Sequence, residues 1–593
     1  MKSQQSTAVI AAANEHHALP DAANCDISEA AAPPHPLDVA WQNQVAKLTG
    51  GVSPTSVSLA WMDWFLNLAN SPGKQMDLLK LLQQQAKNCL QPAPIGAADS
   101  RFADAGWSQW PYQAFSQAFL RTQDFWQAAT SGVRGVSAHH EDVVSFTARQ
   151  LLDMVAPSNF PWLNPEVLAA TRSSGGKNLA SGLLHMMQDL GLELPSQDGQ
   201  AQTSTQLGYE PGREVALTPG NVVYRNHLIE LIQYAPQTPT VHAQPLLIVP
   251  SWIMKYYILD LSPHNSMVAY LVSQGHTVFM ISWRNPGQED RQLGMQDYLR
   301  SGLFDALEQV AHICRQPVHT IGYCLGGTLL AIGAAAIAGK RISAPAQLAS
   351  VTLLAAQTDF SEPGELGLFI DESQLAMLDA LMWKQGYLDG KQMSGSFELL
   401  NSRDLIWSKL MREYQLGLRQ EPNDLMSWNA DTTRLPYRMH SEYLKHLFLH
   451  NDLAKGHYEV DHHVVALKDI KSPMYVVGTE RDHVSPWRSV YKINVLADTE
   501  IEFVLASGGH NAGIVSEPGH ARRSFLFLPT AMRSTAYHDP EAWLQQAQRQ
   551  DGSWWEHWQQ WLLQHSTAKR LKAVPLAAQP ELGTAPGSYV FEK

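Results

Sequence analysis

VHTIGYCLGGTLLAIGAAA, Val318 to Ala336, joins two kinds of local structure with a cysteine at the seam. Its first part is rich in β-branched and aromatic residues, which fits a buried strand. Its second part is small and apolar all round, which fits a buried helix. Gly322 and Gly326 stand two residues either side of Cys324. A side chain at a tight strand-to-helix turn takes backbone angles that bulky neighbours block. The spacing is therefore that of the G-x-S-x-G nucleophile elbow with sulfur in place of oxygen. The first turn of a helix presents N–H groups that favour an anion, which suits a reactive thiolate. Leu325, just after the cysteine, offers one such N–H to an oxyanion. Taken alone, G-x-C-x-G reads equally as a small buried cysteine, so partners elsewhere in the chain decide the matter.

Those partners stand in a telling order. PMYVVGTERDHVSPW, from Pro473, puts Asp482 just past a strand, and IEFVLASGGHNAGIV, from Ile501, puts His510 just past the next, in a Gly-Gly loop. Nucleophile, acid, histidine is the chain order of the α/β hydrolases. In these roles His510 moves the proton, and Asp482 fixes the imidazole tautomer and steadies its charge. Asp359, after the strand candidate ASVTLLAA (349–356), is a second position from which an acid reaches the histidine. His483, beside Asp482, is assigned to the surroundings of the site or to substrate contact. A second oxyanion N–H is expected from the loop after PLLIVP (245–250), where Ser251, Trp252 and Ile253 are candidates. Asp461, His462 and His463 have no further clustered ligands, so no metal is expected. Cys314 reads as core.

Around these motifs the chain divides. At 593 residues it exceeds the roughly 250–300 at which single cores stop growing. Residues 1–36 are Ala-, Pro- and polar-rich and read as a mobile tail. Residues 37–194 carry three-four apolar spacing, as in VSLAWMDWFLNLANS and DLLKLLQQQAKNCL, and read as a helical N-terminal domain. Residues 195–220, including PSQDGQAQTSTQLGYEPGRE, read as a linker. From 221 to 593 an early hairpin, VVYRNHLIELIQY, gives way to strand-helix alternation through PLLIVP, HTVFMIS, VHTIGYC, ASVTLLAA, PMYVVGT and TEIEFVLA. The long mixed stretch between the fourth and fifth of these is too long for a loop, so a cap is expected at about 360–450. The expected fold is α/β: an α/β-hydrolase fold with an inserted cap, preceded by a mainly helical N-terminal domain. Trp554, Trp558 and Trp561 form a helical stripe expected to pack on the sheet.

Composition narrows the function. Charged residues make up only 17%, against about 25% in an average domain. Net charge is −13, which argues against a nucleic-acid partner. Four scattered cysteines suggest neither a disulfide framework nor a zinc site. The early apolar run AVIAAA is too short for a signal sequence, and LLAIGAAAIAG falls short of the ~20 residues that span a bilayer. A cytoplasmic protein without a transmembrane segment is expected.

A thiol nucleophile exchanges one thioester for another at nearly constant free energy, so it stores an acyl group without losing its activation. Acyl transfer from a coenzyme A thioester suits it better than hydrolysis. GYCLGG, PSWIMKYYILDLSPHNS, FMISWRNPG, DLMSWNADTTRLP, GTERDHVSPW and SGGHNAGIVSEPG together resemble the polyhydroxyalkanoate synthases, bacterial polymerases of 3-hydroxyacyl-CoA. RFADAGWSQWPYQAFSQAFLRTQDFW resembles that family's N-terminal region, so the likeness runs from about Leu37. Length and the helical N-terminal domain resemble the long, single-subunit (class I/II-like) type. The resemblance implies that Cys324 is the acylated nucleophile with Asp482 and His510 as partners, and that (R)-3-hydroxyacyl-CoA is polymerised with release of CoA. It implies no separate cofactor, since coenzyme A is part of the substrate, and a homodimer acting on a growing polyester at a granule surface, with phasin-like proteins as possible partners. It associates Trp428 with dimer contact or substrate passage; simple packing of the cap is the other reading. The N-terminal helices read equally as granule-facing or as docked on the catalytic domain. The alternative activity on the same scaffold is a cysteine-dependent acyl-CoA thioesterase or polyester depolymerase.

Overall fold

Strands that are apolar along their whole length need cover on both faces, and the chain supplies it. The computed structural model describes residues 35–88, 99–192, 208–390, 392–393, 402–419, 421–529, 537–576 and 581–593. The expected tail up to residue 34, Cys25, Cys89 and the expected linker from 195 to 207 lie outside them.

The main sheet has ten strands: β1 Gly220–Arg225, β2 Ile229–Tyr234, β3 Leu246–Val249, β4 Val278–Trp283, β5 Val318–Tyr323, β6 Leu348–Leu354, β7 Met474–Thr479, β8 Ile501–Ala506, β9 Ser524–Phe527 and β10 Gln548–Asp551. Their order across the sheet is β1-β2-β4-β3-β5-β6-β7-β8-β9-β10. Pairing is parallel from β4 to β8. Antiparallel strands extend both flanks.

Every residue of β3, β4, β5 and β7 is buried. Alternate side chains feed two cores. Leu247, Val249, Phe279 and Ile281 face the helix Leu325–Ala338 side, whereas Leu246, Ile248, Val278 and Met280 share a core with Trp554, Trp558 and Trp561. The tryptophan stripe thus packs on the sheet, and the Trp558 indole donates to Thr352 Oγ1 at 3.2 Å.

Strand order reverses at β3, which has β4 on one side and β5 on the other. Loops leaving the carboxyl ends of β3 and β5 therefore meet, the usual place for a ligand in an α/β sheet. After β6 the chain leaves the sheet and returns only at β7; the intervening cap includes helices Glu372–Gln385, Asp424–Ala430 and Tyr437–Tyr443.

The N-terminal helices, from Pro36–Leu48 to Lys177–Asp189, dock on this cap. Ser53 N–H donates to Gln374 Oε1 at 2.7 Å, and Asn178 Nδ2 donates to the Gln415 carbonyl at 2.8 Å. A Cβ added at Gly182 would lie 1.9 Å from the Tyr414 carbonyl oxygen, so the helix and the cap backbone nearly touch there. Among the described residues no helix is long and apolar enough to cross a membrane.

Candidate active site

Cys324 ends β5 and begins the helix Leu325–Ala338, with φ 52° and ψ −123°. A residue with a Cβ pays on the order of 1–3 kcal/mol for such a left-handed conformation. The turn is pinned from both sides: Cys324 N–H donates to the Leu354 carbonyl at 2.9 Å, and its own carbonyl accepts from Gly327 N–H at 2.9 Å. The flanking glycines have a steric reason. A Cβ on Gly326 would lie 2.1 Å from the Val249 carbonyl oxygen, and one on Gly322 would lie 2.3 Å from Gly327 Cα. Helix start, β5 and the end of β3 meet too closely for any side chain but glycine's.

Asp482 and His510 leave the ends of β7 and β8 and converge on the same edge. His510 Nδ1 lies 2.8 Å from Asp482 Oδ2, and Cys324 stands close enough to the ring to help raise its pKa. Asp482 is held in turn: Oδ1 accepts from the N–H groups of Val484 at 3.0 Å and Ser485 at 2.8 Å, and Oδ2 accepts from Thr479 Oγ1 at 2.9 Å. Burial works against an imidazolium at His510, but the Asp482 carboxylate and Cys324 overcome it and hold the pKa well above the usual histidine value. Burial likewise opposes a charged Asp482; His510 and the donated hydrogen bonds prevail and lower its pKa. Carboxylate and imidazole are thus hydrogen-bonded to each other, with the Cys324 sulfur beside the ring, an arrangement in which a proton can pass between sulfur and ring.

Comparison with known proteins gives the same direction. Residues 32–74 match the family described as Poly-beta-hydroxybutyrate polymerase N terminal, residues 98–271 match Poly-beta-hydroxybutyrate polymerase (PhaC) N-terminus, and residues 244–517 match the alpha/beta hydrolase fold. A poly(3-hydroxyalkanoate) polymerase of Methylorubrum extorquens is 38% identical over 509 residues, covering 85% of this chain and 82% of that one. A poly(3-hydroxyalkanoate) polymerase subunit PhaC of Cupriavidus necator is 33% identical over 583 residues, covering 94% of this chain and 96% of that one. The chain belongs to the poly(3-hydroxyalkanoate) polymerase family.

In this member of the polymerase family the remaining site candidates fall in different places. Leu325 opens the helix, where an N–H has no intrahelical acceptor. Trp252 and Ile253 lie in the loop beyond β3 beside the elbow, but the Ile253 N–H is turned to Ser251 Oγ at 3.3 Å. Ser251 and Trp252 are the other two candidates from that loop. Asp359 does not serve His510: its carboxylate accepts from Ser361 N–H at 2.7 Å and from Asn451 Nδ2 at 3.2 Å, holding its own loop. His483 lines a cleft of 540 Å³ with Asp142, Arg149, Glu365 and Pro486, between an N-terminal helix and the start of the cap. Trp428 is 3% exposed, and its indole donates to the Lys255 carbonyl at 2.7 Å. It packs the cap, the second of the two readings given for it.

Two further contacts at the site involve residues not assigned a role from the sequence. Tyr443, buried in the cap, lies near enough for Cys324 to affect its hydroxyl, whose pKa burial raises first and Cys324 second. Asn511, next to His510, accepts from the Tyr323 hydroxyl at 2.7 Å and reaches Asn429 of the cap at 3.4 Å. Asp461, His462 and His463 do not gather: Asp461 pairs with Arg300, and His463 Nδ1 faces the Asp461 carbonyl at 2.7 Å. Among the described residues, His446, His450 and Asp452 are a group with ligand atoms within 4.8 Å of one another. Its carboxylate is already bonded to His446 Nδ1 at 2.7 Å.

Proposed function

We propose that this chain polymerises (R)-3-hydroxyacyl-CoA into polyhydroxyalkanoate with release of CoA, as an acyltransferase working through a thioester on Cys324. The observation that carries this reading is the line Cys324–His510–Asp482, a cysteine where hydrolases of the fold place a serine, in a chain of this family. The Cys324 thiolate attacks the acyl carbonyl; the carbon–sulfur bond to CoA breaks, and CoA leaves with the proton from His510. His510 then takes the proton of a 3-hydroxyl on a second unit. That oxygen attacks the Cys324 thioester, an ester bond forms, and the thiolate returns. The N–H groups of Leu325 and Trp252 are assigned to the oxyanion. The cap, whose buried Tyr443 stands near the sulfur, is assigned the task of keeping out the water that would turn transfer into hydrolysis.

The same reading places the chain in the cytoplasm at the surface of polyester granules, as a homodimer, with phasin-like proteins as partners and no resident cofactor. The test supplies purified protein with 3-hydroxybutyryl-CoA and measures thiol release and insoluble polyester. Both are expected, and both are expected to vanish in Cys324→Ala. Thiol release with free 3-hydroxybutyrate alone would make the chain a thioesterase or depolymerase. Full activity after Cys324→Ala would remove the sulfur from the chemistry.

A further inference from the structure

The loop beyond β3 is gripped from two directions. On one side the cap is stitched to four consecutive residues: Thr433 Oγ1 donates to the Trp252 carbonyl at 2.5 Å and Thr433 N–H to the Ile253 carbonyl at 3.1 Å. Met254 forms an antiparallel bridge with Thr432, and Trp428 donates to the Lys255 carbonyl.

On the other side stands the segment Gly587–Lys593. Lys255 is only 3% exposed, and its ammonium donates to the carbonyls of Glu592 at 2.8 Å and Tyr589 at 3.1 Å, more than three hundred residues along the chain. That segment is itself anchored. The buried carboxylate of Glu230 accepts from Ser588 N–H at 2.9 Å, Ser588 Oγ at 2.6 Å and Tyr589 N–H at 3.0 Å. Val590 is fully buried. Lys593 Nζ lies 2.9 Å from Asp431 Oδ1, and Arg434 donates to the Lys593 backbone oxygen at 2.6 Å. Asp431 and Arg434 flank the same two threonines that hold the loop, so strap, loop and cap form one knot.

A buried ammonium is costly, and its two bonded partners here are neutral carbonyls. Burial pulls its pKa down to about 8, while Asp431 and Glu592 act to raise it. A neutral side chain would fill the space at lower cost. The charge brings reach and direction: it ties a distant strap to the residue that ends the loop.

We propose that Lys255 is a positioning residue for acyl transfer, tying the strap Ser588–Glu592 to the loop Trp252–Lys255 and so fixing the Trp252 amide against the acyl oxygen at Cys324. This rests on the acyl-transfer reading above. Removing an oxyanion donor costs about a hundred- to a thousand-fold in turnover, and a misplacement of about 1 Å can cost about a hundred-fold.

The test compares the full chain with Lys255→Met and Lys255→Arg. One readout is CoA release from 3-hydroxybutyryl-CoA, as kcat and KM. The other is alkylation of Cys324 by iodoacetamide, a displacement at a CH2 group that forms no oxyanion. Lys255→Met is expected to lower kcat about ten- to a hundred-fold, with KM and alkylation within about three-fold, and Lys255→Arg to recover part of the loss. An unchanged kcat in folded Lys255→Met overturns the proposal, as does an equal fall in kcat and alkylation, which would mark a general loss of structure. Should Lys255→Met fail to fold, Ser588→Ala loosens the strap while leaving Lys255 in place. There a several-fold fall in kcat without change in alkylation supports the proposal, and no fall overturns it. If the unsubstituted chain is alkylated but releases no CoA, the acyl-transfer reading itself fails and takes this inference with it.

Discussion

His319 is buried and His510 largely buried against one sheet, and the protein treats them in opposite ways. His319 lies at the start of β5, five residues before Cys324. Its ring nitrogens meet hydroxyls, Ser350 Oγ at 2.7 Å and Ser566 Oγ at 2.9 Å. Burial, helped by His565 and His242, brings its pKa down to about 4. His276 nearby goes further, to about 3, chiefly through burial, with Gln559 as its partner at 2.8 Å. His510 sits at the other end of the strands, where Asp482 and Cys324 reverse the same desolvation. Burial opposes the charge in each case. What differs is the partner: a hydroxyl can serve a neutral ring as donor or acceptor, but only a carboxylate makes the charged ring worth holding.

The sharpest way to break this comparison is to make the same substitution at both ends. His510→Gln is expected to lower CoA release from 3-hydroxybutyryl-CoA by about 10⁴-fold or more, as loss of the base does in a catalytic triad. His319→Gln is expected to leave kcat within about two-fold while the chain stays folded. Similar losses at both positions would mean that the site end has no chemical privilege.

Asp482→Asn sharpens it further, because it keeps the shape and removes the charge that sets His510 apart. Elongation, measured as polymer formed per enzyme, is expected to fall about 10²–10⁴-fold. The first burst of CoA release is expected to fall less, because a thiol deprotonates more readily than a hydroxyl. Equal losses in burst and elongation would count against orientation of the imidazole as the role of Asp482.

The candidate-site end is legible in the sequence for the same reason that it is distinctive. Gly322 and Gly326 are dictated by carbonyl oxygens and backbone atoms at 2.1–2.3 Å from any added Cβ, so the constraint is written beside the cysteine itself. Asp482 and His510 each follow an apolar strand, and strand ends can be found by hydrophobicity. β9 and β10 were not seen: Ser524–Phe527 is four residues long, and Gln548–Asp551 is polar and exposed throughout, without the alternation that marks a half-buried strand. The contacts of Tyr443, Asn511 and Lys255 are illegible for a different reason, although Asn511 and Lys255 stand inside quoted motifs. Each acts across a contact between distant segments, 337 residues apart for Lys255 and Glu592, and local spacing carries no record of such a contact. The burial of Trp428 comes from that same long-range stitching.

The smallest expected effect concerns stability, and its sign follows from the two pKa directions. His319 and His276 are neutral in the folded chain down to about 4 and about 3, whereas an unfolded histidine takes a proton near 6.5. Between those values the unfolded chain binds more protons, so each histidine's contribution is full above pH 6.5 and is lost as pH falls, by about 1.4 kcal/mol per unit. His510 has the opposite sign: its raised pKa adds stability below pH 6.5 that is lost as pH rises through the folded value. Urea unfolding of His319→Gln is therefore expected to show a decline between pH 7 and pH 5 shallower than in the unsubstituted chain by about 2 kcal/mol. His510→Gln is expected to leave that acid limb unchanged and to flatten the alkaline limb above pH 7. Parallel curves for His319→Gln and the unsubstituted chain would mean that water reaches the start of β5, and the contrast between the two ends would then rest on solvent rather than on the carboxylate.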